Sequence, residues 1–350
     1  MCEKYKALTP YTPGEQPKER KYIKLNTNES PFPPSKKAVE YAARAAESVE
    51  LYSDPEAKKL VSKIAELYDV SPEYVICVNG SDEVLNFAFM AFCDKDNGAI
   101  FPNITYGFYS VFADLNGVPC NEIPLDDQFN IKVEDYIGKN KTIFIANPNA
   151  PTGIALSLDE IERIVKSNSD NVVVIDEAYV DFGAESAVAL TKKYDNLLVT
   201  QTFSKSRSMA GARLGFGIGS PGLIADLNMI RFSTNPYNVN SMTMAAGLGV
   251  LEDEEYTREN CKKIIENREY AKNELSRLGF SMTDSKANFL FAKHESIGGG
   301  ELYTKLRERG ILVRHWSKPI IGDYNRITVG SIEEMQALVA AIKDILEEEK

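Results

Sequence analysis

The chain has 350 residues, 43% of them hydrophobic and 26% charged, which is enough to bury a large core that we expect to be divided between two domains. The formal net charge of −11 argues against a nucleic-acid partner, because a phosphate backbone requires a basic protein face. No apolar run is long enough to cross a membrane and the amino terminus has no signal region, which predicts a cytoplasmic protein without a membrane partner.

Cysteine and histidine usage gives no sign of a metal site. The five cysteines, Cys2 among them, are odd in number and widely spaced, so we interpret them as reduced thiols. Only two histidines, His294 and His315, are present, which argues against a histidine-based metal centre. The sequence therefore predicts no metal and no disulfide framework.

Residues 1–34 are rich in proline and polar residues and show neither helical nor alternating periodicity. This predicts an extended amino-terminal arm, with a disordered tail as the alternative from composition alone. The most distinctive part of the arm runs from Leu25 to Pro31 and contains Asn28, and Tyr11 lies further upstream between two prolines.

Two amphipathic helices are predicted next, from Lys36 to Ser48 and from Pro55 to Tyr68. The connecting segment contains Tyr52, which from the residues alone is interpreted as a packing residue at a helix end.

A buried strand from Val75 to Val78 leads into the turn Asn79-Gly80-Ser81-Asp82-Glu83, and an apolar helix follows from Val84 to Phe92. Glycine allows a tight turn here, and the free amides of a helix amino terminus form an anion site. The same residues also make an ordinary helix cap at Ser81. Both interpretations hold together, because a cap and an anion site use the same amides.

The next strand, Gly98 to Phe101, precedes a group of aromatic residues at the start of a helix. An aromatic side chain beside the anion site can stack on a flat ring. We expect Tyr106 to have this position, with Phe108 and Tyr109 as alternatives.

A strand near Val118 to Ile123 and a strand from Thr142 to Ile145 follow, and the second ends at a turn over residues 147–153. Two prolines and a glycine fix that turn, which leaves Asn149 to hydrogen-bond outward. The helix Leu158 to Lys166 comes next.

The β-branched run from Val172 to Ile175 ends at Asp176, and Tyr179 follows three residues later. A carboxylate at the carboxyl end of a buried parallel strand points into the crevice where α/β sheets bind ligands. Opposite a pyridine nitrogen, it would keep that nitrogen protonated. The alternative is an acid that merely ends a strand.

Lys205 lies between two predicted buried strands and directly follows hydroxyl residues. Burial lowers the pKa of a lysine and leaves a nucleophilic amine, so Lys205 is a candidate for a Schiff base with a carbonyl cofactor. The hydroxyls of Thr202 and Ser204 and the guanidinium of Arg213 are suited to a nearby phosphate. A solvated loop lysine is the alternative.

From about Asn238 the pattern changes to long helices, and short strands around residues 288–292, 311–314 and 326–329 follow. An arginine that opens a buried strand requires an anion partner. Arg314 and Arg326 are therefore candidates for binding carboxylate or phosphate, with a structural salt bridge as the alternative.

The alternation of strands and helices predicts a mostly parallel sheet covered on both faces. We expect an arm over residues 1–34, a large domain over 35–240 and a small carboxyl-terminal domain over 241–350.

The motifs around Asn149, Asp176, Lys205 and Arg213, in this order, resemble those of the fold-type I pyridoxal phosphate aminotransferases. More narrowly, nearly the whole chain is similar to the histidinol-phosphate aminotransferase family. The resemblance implies an α/β fold, with a seven-stranded, mostly parallel sheet in an α/β/α sandwich and one antiparallel strand, plus a small α+β domain. It also implies pyridoxal 5'-phosphate as cofactor and 2-oxoglutarate as amino acceptor.

The resemblance further implies the role of each site residue. Lys205 would carry the cofactor and act as base, Asp176 would face the pyridinium, and Asn149 and Tyr179 would bind the ring hydroxyl. A homodimer with shared sites would bring Tyr52 from the neighbouring subunit to the cofactor phosphate; Ser53 replaces a proline in that motif. The other implied cofactor-binding residues are Gly80, Ser81, Asp82, Tyr106, Thr202, Ser204 and Arg213, and the implied substrate-binding residues are Tyr11, Asn28, Arg314 and Arg326.

Three alternatives to a histidinol-phosphate aminotransferase stay open. An aromatic amino-acid aminotransferase has the same core motifs, and a threonine-phosphate decarboxylase has similar ones. A transcription regulator with a cofactor-sensing half is disfavoured, because the aminotransferase-like pattern begins too early to leave room for a DNA-binding domain.

Overall fold

The computed structural model describes residues 5–6 and 8–348, so the prediction for Cys2 lies outside the described residues. Cys77, Cys93, Cys120 and Cys261 are free thiols. Within the described residues, no helix is long and apolar enough to cross a membrane.

The predicted helices and strands occur in the predicted order, and the elements over residues 23–24, 221–234 and 280–282 are additional to the prediction. The helices are α1 Lys36–Ala45, α2 Lys58–Leu67, α3 Ser81–Phe92, α4 Phe108–Asn116, α5 Leu158–Ser167, α6 Pro221–Thr234, α7 Ser241–Leu251, α8 Glu254–Arg277, α9 Gly299–Glu308 and α10 Ile332–Glu348. The strands are β1 Ile23–Lys24, β2 Val75–Val78, β3 Ala99–Pro102, β4 Cys120–Ile123, β5 Thr142–Ala146, β6 Val173–Asp176, β7 Leu197–Thr202, β8 Gly215–Gly219, β9 Phe280–Met282, β10 Phe289–His294, β11 Ile311–Leu312, β12 Arg314–His315 and β13 Asn325–Thr328.

In the described part of the chain, seven strands form the main sheet in the order β2-β8-β7-β6-β5-β3-β4. Strand β8 is antiparallel to both of its neighbours, and the pairs among the other strands are parallel. The predicted seven-stranded sheet with one antiparallel strand is therefore confirmed.

Each central strand is apolar on both faces. Ile143, Val173 and Leu197 pack on one side against α2, α5 and α7. Phe144, Val174 and Leu198 pack on the other side against α3, α4 and α6. Because successive side chains of a strand point to opposite faces, uninterrupted apolar runs build a sheet that is covered on both sides.

A second, antiparallel sheet has the order β12-β13-β10-β9 and packs with α8, α9 and α10. The arm joins this region, because β1 pairs in parallel with β11 and Leu25 bonds to main-chain atoms of Leu312 and Thr328. The arm is thus an ordered, extended segment in which Leu25 is buried.

Several predicted element boundaries are wrong, and two of them have clear local reasons. Helix α2 begins at Lys58 and not at Pro55, because the Asp54 carboxylate accepts hydrogen bonds from the amides of Glu56 and Lys58 and shapes the preceding turn. The predicted strand over 311–314 divides into β11 and β12, which pair with different strands.

Candidate active site

A cavity of about 120 Å³ opens at the carboxyl ends of the central strands β5, β6 and β7. These strands are parallel neighbours, so the residues that follow them converge at one edge of the sheet. The cavity is lined by Ser81, Asp82, Tyr106, Ala146, Ala150, Asp176, Ala178, Tyr179, Thr202, Ser204, Lys205 and Arg213.

Lys205 lies in this cavity just after β7. Its Nζ atom donates to the main-chain carbonyl of Thr27 at 3.3 Å and lies 5.9 Å from the centre of the Tyr179 ring. Burial, aided by the nearby positive charge of Arg326, lowers the pKa of Lys205 from 10.5 to about 8. A substantial fraction of the amine is therefore neutral near physiological pH.

Asp176 ends β6 and is almost fully buried. Its carboxylate accepts hydrogen bonds from the Tyr109 hydroxyl at 3.0 Å and the Ala178 amide at 3.3 Å. Burial raises the pKa of Asp176 to about 7, although the hydrogen bond from Tyr109 acts in the opposite direction. A cationic ring nitrogen at this end of the cavity would favour the ionised carboxylate.

The cavity lining also contains polar groups suited to an anion. Arg213 reaches the Asp82 carboxylate at 3.1 Å, and Asp82 also accepts from the Tyr106 hydroxyl at 2.7 Å. Asp82 thus acts as a bridge between two cavity residues. The Thr202 and Ser204 hydroxyls bond to each other at 3.0 Å within the same region.

Gly80 precedes α3 with φ +80°, and a Cβ atom there would lie 2.6 Å from Nη2 of Arg213. Only glycine leaves this space open and adopts this backbone conformation without strain. The helix begins at Ser81, so Gly80 is the cap residue and the prediction that Ser81 caps the helix is wrong. The Ser81 hydroxyl is consequently not used as a cap.

Asn149 departs from its predicted orientation. Its side chain is buried, donates to the Ile104 carbonyl and the Thr152 hydroxyl, and accepts from the Thr105 hydroxyl at 2.7 Å. Its amide protons are therefore engaged within the protein, and Asn149 is not among the residues that line the cavity. The expectation that this side chain points outward is wrong, and its role toward a cofactor stays a prediction.

Tyr179 and Asn28 meet at the wall of the cavity. The side-chain Nδ2 atom of Asn28 donates to the Tyr179 hydroxyl at 2.9 Å, and the side-chain Oδ1 atom accepts from the Thr328 hydroxyl at the same distance. Asn28 has φ +56°, a conformation that asparagine tolerates better than most residues. The arm therefore reaches the cavity through a specific, buried hydrogen bond.

Arg314 and Arg326 face each other across strands β12 and β13 as a Cα pair. Arg314 donates to the carbonyls of Thr12 and Pro13, and Arg326 donates to the carbonyl of Asn26. In the described residues, neither guanidinium has a carboxylate within ion-pair distance, so the structural salt-bridge alternative is wrong. The Nε atom of Arg326 is buried without a hydrogen-bond partner.

Tyr11 and Tyr52 lie outside the cavity. Tyr11 is 38% exposed and stacks on Phe108, with 4.3 Å between ring centres. Tyr52 is 83% exposed and stacks on Tyr237 at 4.4 Å. Within one chain, therefore, Tyr52 is a surface residue and not the packed helix-end residue that its sequence suggests.

Tyr109 and Trp316 are two contributors that the sequence reasoning did not assign. Tyr109 was weighed only as a stacking residue, but it is fully buried and donates to Asp176. Its position one helical turn after Tyr106 could have indicated a second inward-facing hydroxyl. Trp316 lies against both arginines, and its place two residues after Arg314 was the available signal.

The cavity fits pyridoxal 5'-phosphate by the chemistry of its residues. Its hydroxyl, amide and guanidinium groups match a phosphate, and its buried carboxylate matches a protonated ring nitrogen. Lys205 lies in the same cavity, and Tyr106 supplies an aromatic wall. This arrangement can hold the cofactor and move a proton beside it.

Comparison with known proteins gives a consistent result. A family model described as aminotransferase class I and II matches residues 20–342. The histidinol-phosphate aminotransferase of Brachyspira hyodysenteriae is 49% identical over 350 residues, which cover 99% of this chain and 98% of that protein. The enzyme of the same name from Acinetobacter baylyi is 50% identical over 340 residues, 96% of this chain and 94% of that protein.

Among solved structures, the histidinol-phosphate aminotransferase of Sinorhizobium meliloti in complex with pyridoxal-5'-phosphate is similar, with a TM-score of 0.87. The match covers 94% of this chain and 92% of that chain at 22% identity, so the likeness is one of fold.

The raised pKa of Asp176 makes a prediction about stability. In the unfolded chain this carboxyl ionises near pH 4, but in the folded chain it ionises near pH 7. Between these values the folded state holds a proton that the unfolded state has lost, so this group lowers the free energy of unfolding as pH rises. In cofactor-free protein, Asp176→Asn should therefore be more stable than wild type at pH 8, by on the order of 1–4 kcal/mol.

The advantage of Asp176→Asn should shrink to nearly nothing below about pH 4, where the wild-type carboxyl is protonated in both states. Denaturant unfolding of both proteins across this pH range measures the difference. An advantage that is the same at every pH would show that Asp176 does not carry the raised pKa.

Proposed function

Since this chain belongs to the aminotransferase class I and II family, we propose that it transfers the amino group of histidinol phosphate to 2-oxoglutarate. The products are imidazole acetol phosphate and glutamate. The enzyme is an aminotransferase of the fold-type I class and uses pyridoxal 5'-phosphate. The observation that carries the proposal is the cavity that holds Lys205, Asp176 and Arg213 at the carboxyl edge of the sheet.

When bound, the cofactor supplies the electron sink that stabilises the negative charge left when the substrate Cα proton is removed. Asp176 ends a rigid, buried strand and would hold the ring nitrogen in its protonated form. Tyr109 orients this carboxylate through the hydrogen bond to one of its oxygens. The cofactor ring would thus be oriented by Asp176, which the sheet holds in place, and by Tyr109, which α4 holds in place.

Lys205 Nζ acts as the base that takes the Cα proton and later returns a proton. Its lowered pKa supports this role, because a neutral amine is required to accept the proton. The Thr27 carbonyl orients Nζ through a hydrogen bond. Tyr179 forms the adjacent wall of the cavity, and its own hydroxyl is positioned by Asn28.

The cofactor phosphate would be held by free amides at the start of α3 and by the side chains of Ser81, Thr202, Ser204 and Arg213. The Arg213 guanidinium is charged, and Asp82 keeps it beside the other groups. Gly80 leaves the space that the Arg213 guanidinium occupies beside this turn. Asn149 stays in the proposed site, where it would orient the loop that contains Thr105. Its amide would reach the ring hydroxyl of the cofactor only after its hydrogen bonds to Ile104 and Thr152 were exchanged.

Arg314 and Arg326 would receive the anionic group of either substrate. Histidinol phosphate carries a phosphate and glutamate carries carboxylates, so one site has to accept both anions. Two guanidinia that have no carboxylate partner among the described residues meet this requirement, because each can form two parallel hydrogen bonds to either anion. Tyr11 precedes Thr12, whose main-chain carbonyl accepts a hydrogen bond from Arg314. Tyr11 would therefore complete the binding site for the substrate phosphate.

We further propose that the enzyme is a homodimer with shared sites. The exposed Tyr52 lies beside Leu51, which is 67% exposed, and Tyr237 and Met242, each 41% exposed, line the same surface groove. Exposed apolar patches of this kind are typical of protein interfaces. In the dimer, Tyr52 would reach the cofactor phosphate of the neighbouring subunit.

The Lys205 assignment predicts where the cofactor attaches. Borohydride reduction of the purified enzyme, followed by peptide mass spectrometry, should place the cofactor on Lys205. Lys205→Ala should retain non-covalent cofactor and lose turnover. Lys192→Ala, which removes a surface lysine paired with Asp69, should leave both properties unchanged. Covalent label on any other lysine would contradict the assignment.

The substrate assignment predicts different effects for three proposed substrate-binding residues, Tyr11, Arg314 and Arg326. Arg326→Ala should reduce kcat/KM in both half-reactions by about ten- to a hundredfold, because hydrogen bonds to charged groups contribute about 1.5–3 kcal/mol each. Tyr11→Phe and Arg314→Ala should reduce kcat/KM more for histidinol phosphate than for glutamate.

The assay should compare histidinol phosphate, phenylalanine, tyrosine and threonine phosphate as donors with 2-oxoglutarate, and should also measure carbon dioxide release. Unchanged histidinol-phosphate turnover in Tyr11→Phe and Arg314→Ala, together with a loss for aromatic donors, would favour the aromatic aminotransferase. Carbon dioxide release from threonine phosphate would favour the decarboxylase.

The shared-site proposal predicts complementation between subunits. Mixing Tyr52→Phe with Lys205→Ala should produce heterodimers in which one of the two sites contains both intact residues. Activity should then rise above that of the weaker parent. If Tyr52→Phe alone is impaired and mixing restores nothing, Tyr52 acts within its own chain.

A further inference from the structure

Trp316 is the single tryptophan of the chain, and it lies beside Arg314 and Arg326. These two arginines form the proposed binding site for the substrate anion, called the anion site below. The centre of its ring is 5.5 Å from the Cζ atom of Arg314 and 5.3 Å from the Cζ atom of Arg326. Both distances are within the range in which the negative face of an indole attracts a guanidinium. One ring therefore contacts two cations.

This contact addresses an electrostatic problem. Arg314 and Arg326 are directly opposite each other on paired strands, where like charges repel. In the described residues no carboxylate compensates them, and their hydrogen bonds go to main-chain carbonyls of Thr12, Pro13 and Asn26. An aromatic face offsets part of the repulsion without introducing a negative charge that would exclude an anionic substrate.

Trp316 is itself held in position. It packs against an apolar cluster that includes Phe129, Phe291 and Tyr324. Phe291 and Tyr324 stack with 4.5 Å between ring centres, so the cluster is a rigid support. Trp316 does not line the cofactor cavity, so it can influence the anion site without a contact to the cofactor.

We propose that Trp316 is a positioning residue for the anionic group of the substrates, because its indole holds the guanidinia of Arg314 and Arg326 ready to bind a phosphate or a carboxylate. This inference rests on the proposed function for the identity of the substrates. The physical claim concerns anion binding and can be measured without turnover.

The first experiment uses Trp316 as its own reporter. Titration of the wild-type holoenzyme with inorganic phosphate at constant ionic strength should produce a saturable change in tryptophan fluorescence. Arg314→Ala, which leaves Trp316 in place, should shift the midpoint to higher phosphate concentration. No response to phosphate at any concentration would overturn the proposal, and no Trp316 variant has to fold for this result.

The second experiment removes the aromatic face. Trp316→Leu should raise KM for both anionic substrates, and the calorimetric Kd for phosphate, by about 5- to 30-fold, the factor that corresponds to losing cation–π contacts of this kind. The value of kcat should change by no more than about twofold, since the cofactor cavity is intact. Trp316→Phe, which retains a weaker aromatic face, should give an intermediate Kd.

Tyr324→Leu provides the matched control, because it removes a ring from the same apolar cluster without an arginine contact. It should leave the phosphate Kd unchanged. Equal losses in Trp316→Leu, Trp316→Phe and Tyr324→Leu would show that Trp316 only packs, and would overturn the proposal. Phosphate binding by an enzyme that fails to transaminate histidinol phosphate would instead refute the proposed function and leave this inference standing.

Discussion

The burial of Asp176 and the partial burial of Lys205 are the constraint on which the site depends. Loss of hydration penalises the charged form of each group, and it brings the pKa of the amine down to about 8 and that of the acid up to about 7. Both groups therefore titrate near neutral pH, where small changes in their surroundings alter their charge. A cationic ring placed between them would restore the carboxylate and keep the amine able to accept a proton.

The main sheet makes this burial possible. Strands β5, β6 and β7 are apolar on both faces, so their ends are fixed by the packing of two helical layers. Parallel register places Asp176 opposite Thr200, a few residues before Lys205. A rigid scaffold of this kind holds costly polar groups at a defined separation, and flexible loops could not do so at the same precision.

Much of this organisation was predictable because it depends on local sequence. Apolar runs that end at Asp176 and before Lys205 identify buried strands, and the residues after such strands meet at one sheet edge. The state of Asn149 was not predictable, because its partners at Ile104 and Thr105 come from a distant segment. The role of Tyr109 was hidden for the same reason, since its partner Asp176 is 67 positions away. Pair contacts between distant segments are a property of the fold, and a single sequence contains little information about them.

The arm contacts Lys205 and the two arginines that we propose bind the substrate. Thr27 and Asn26 offer main-chain carbonyls to Lys205 and Arg326, and Thr12 and Pro13 do the same for Arg314. A neutral carbonyl satisfies the donors of a cation but forms a weaker hydrogen bond than an anion does. The arm therefore stabilises the cations while leaving a net preference for an incoming phosphate or carboxylate. Because Leu25 is fixed between Leu312 and Thr328, the segment next to Lys205 would stay in place if a substrate anion displaced the carbonyls of Thr12 and Pro13 from Arg314, as the proposed function requires.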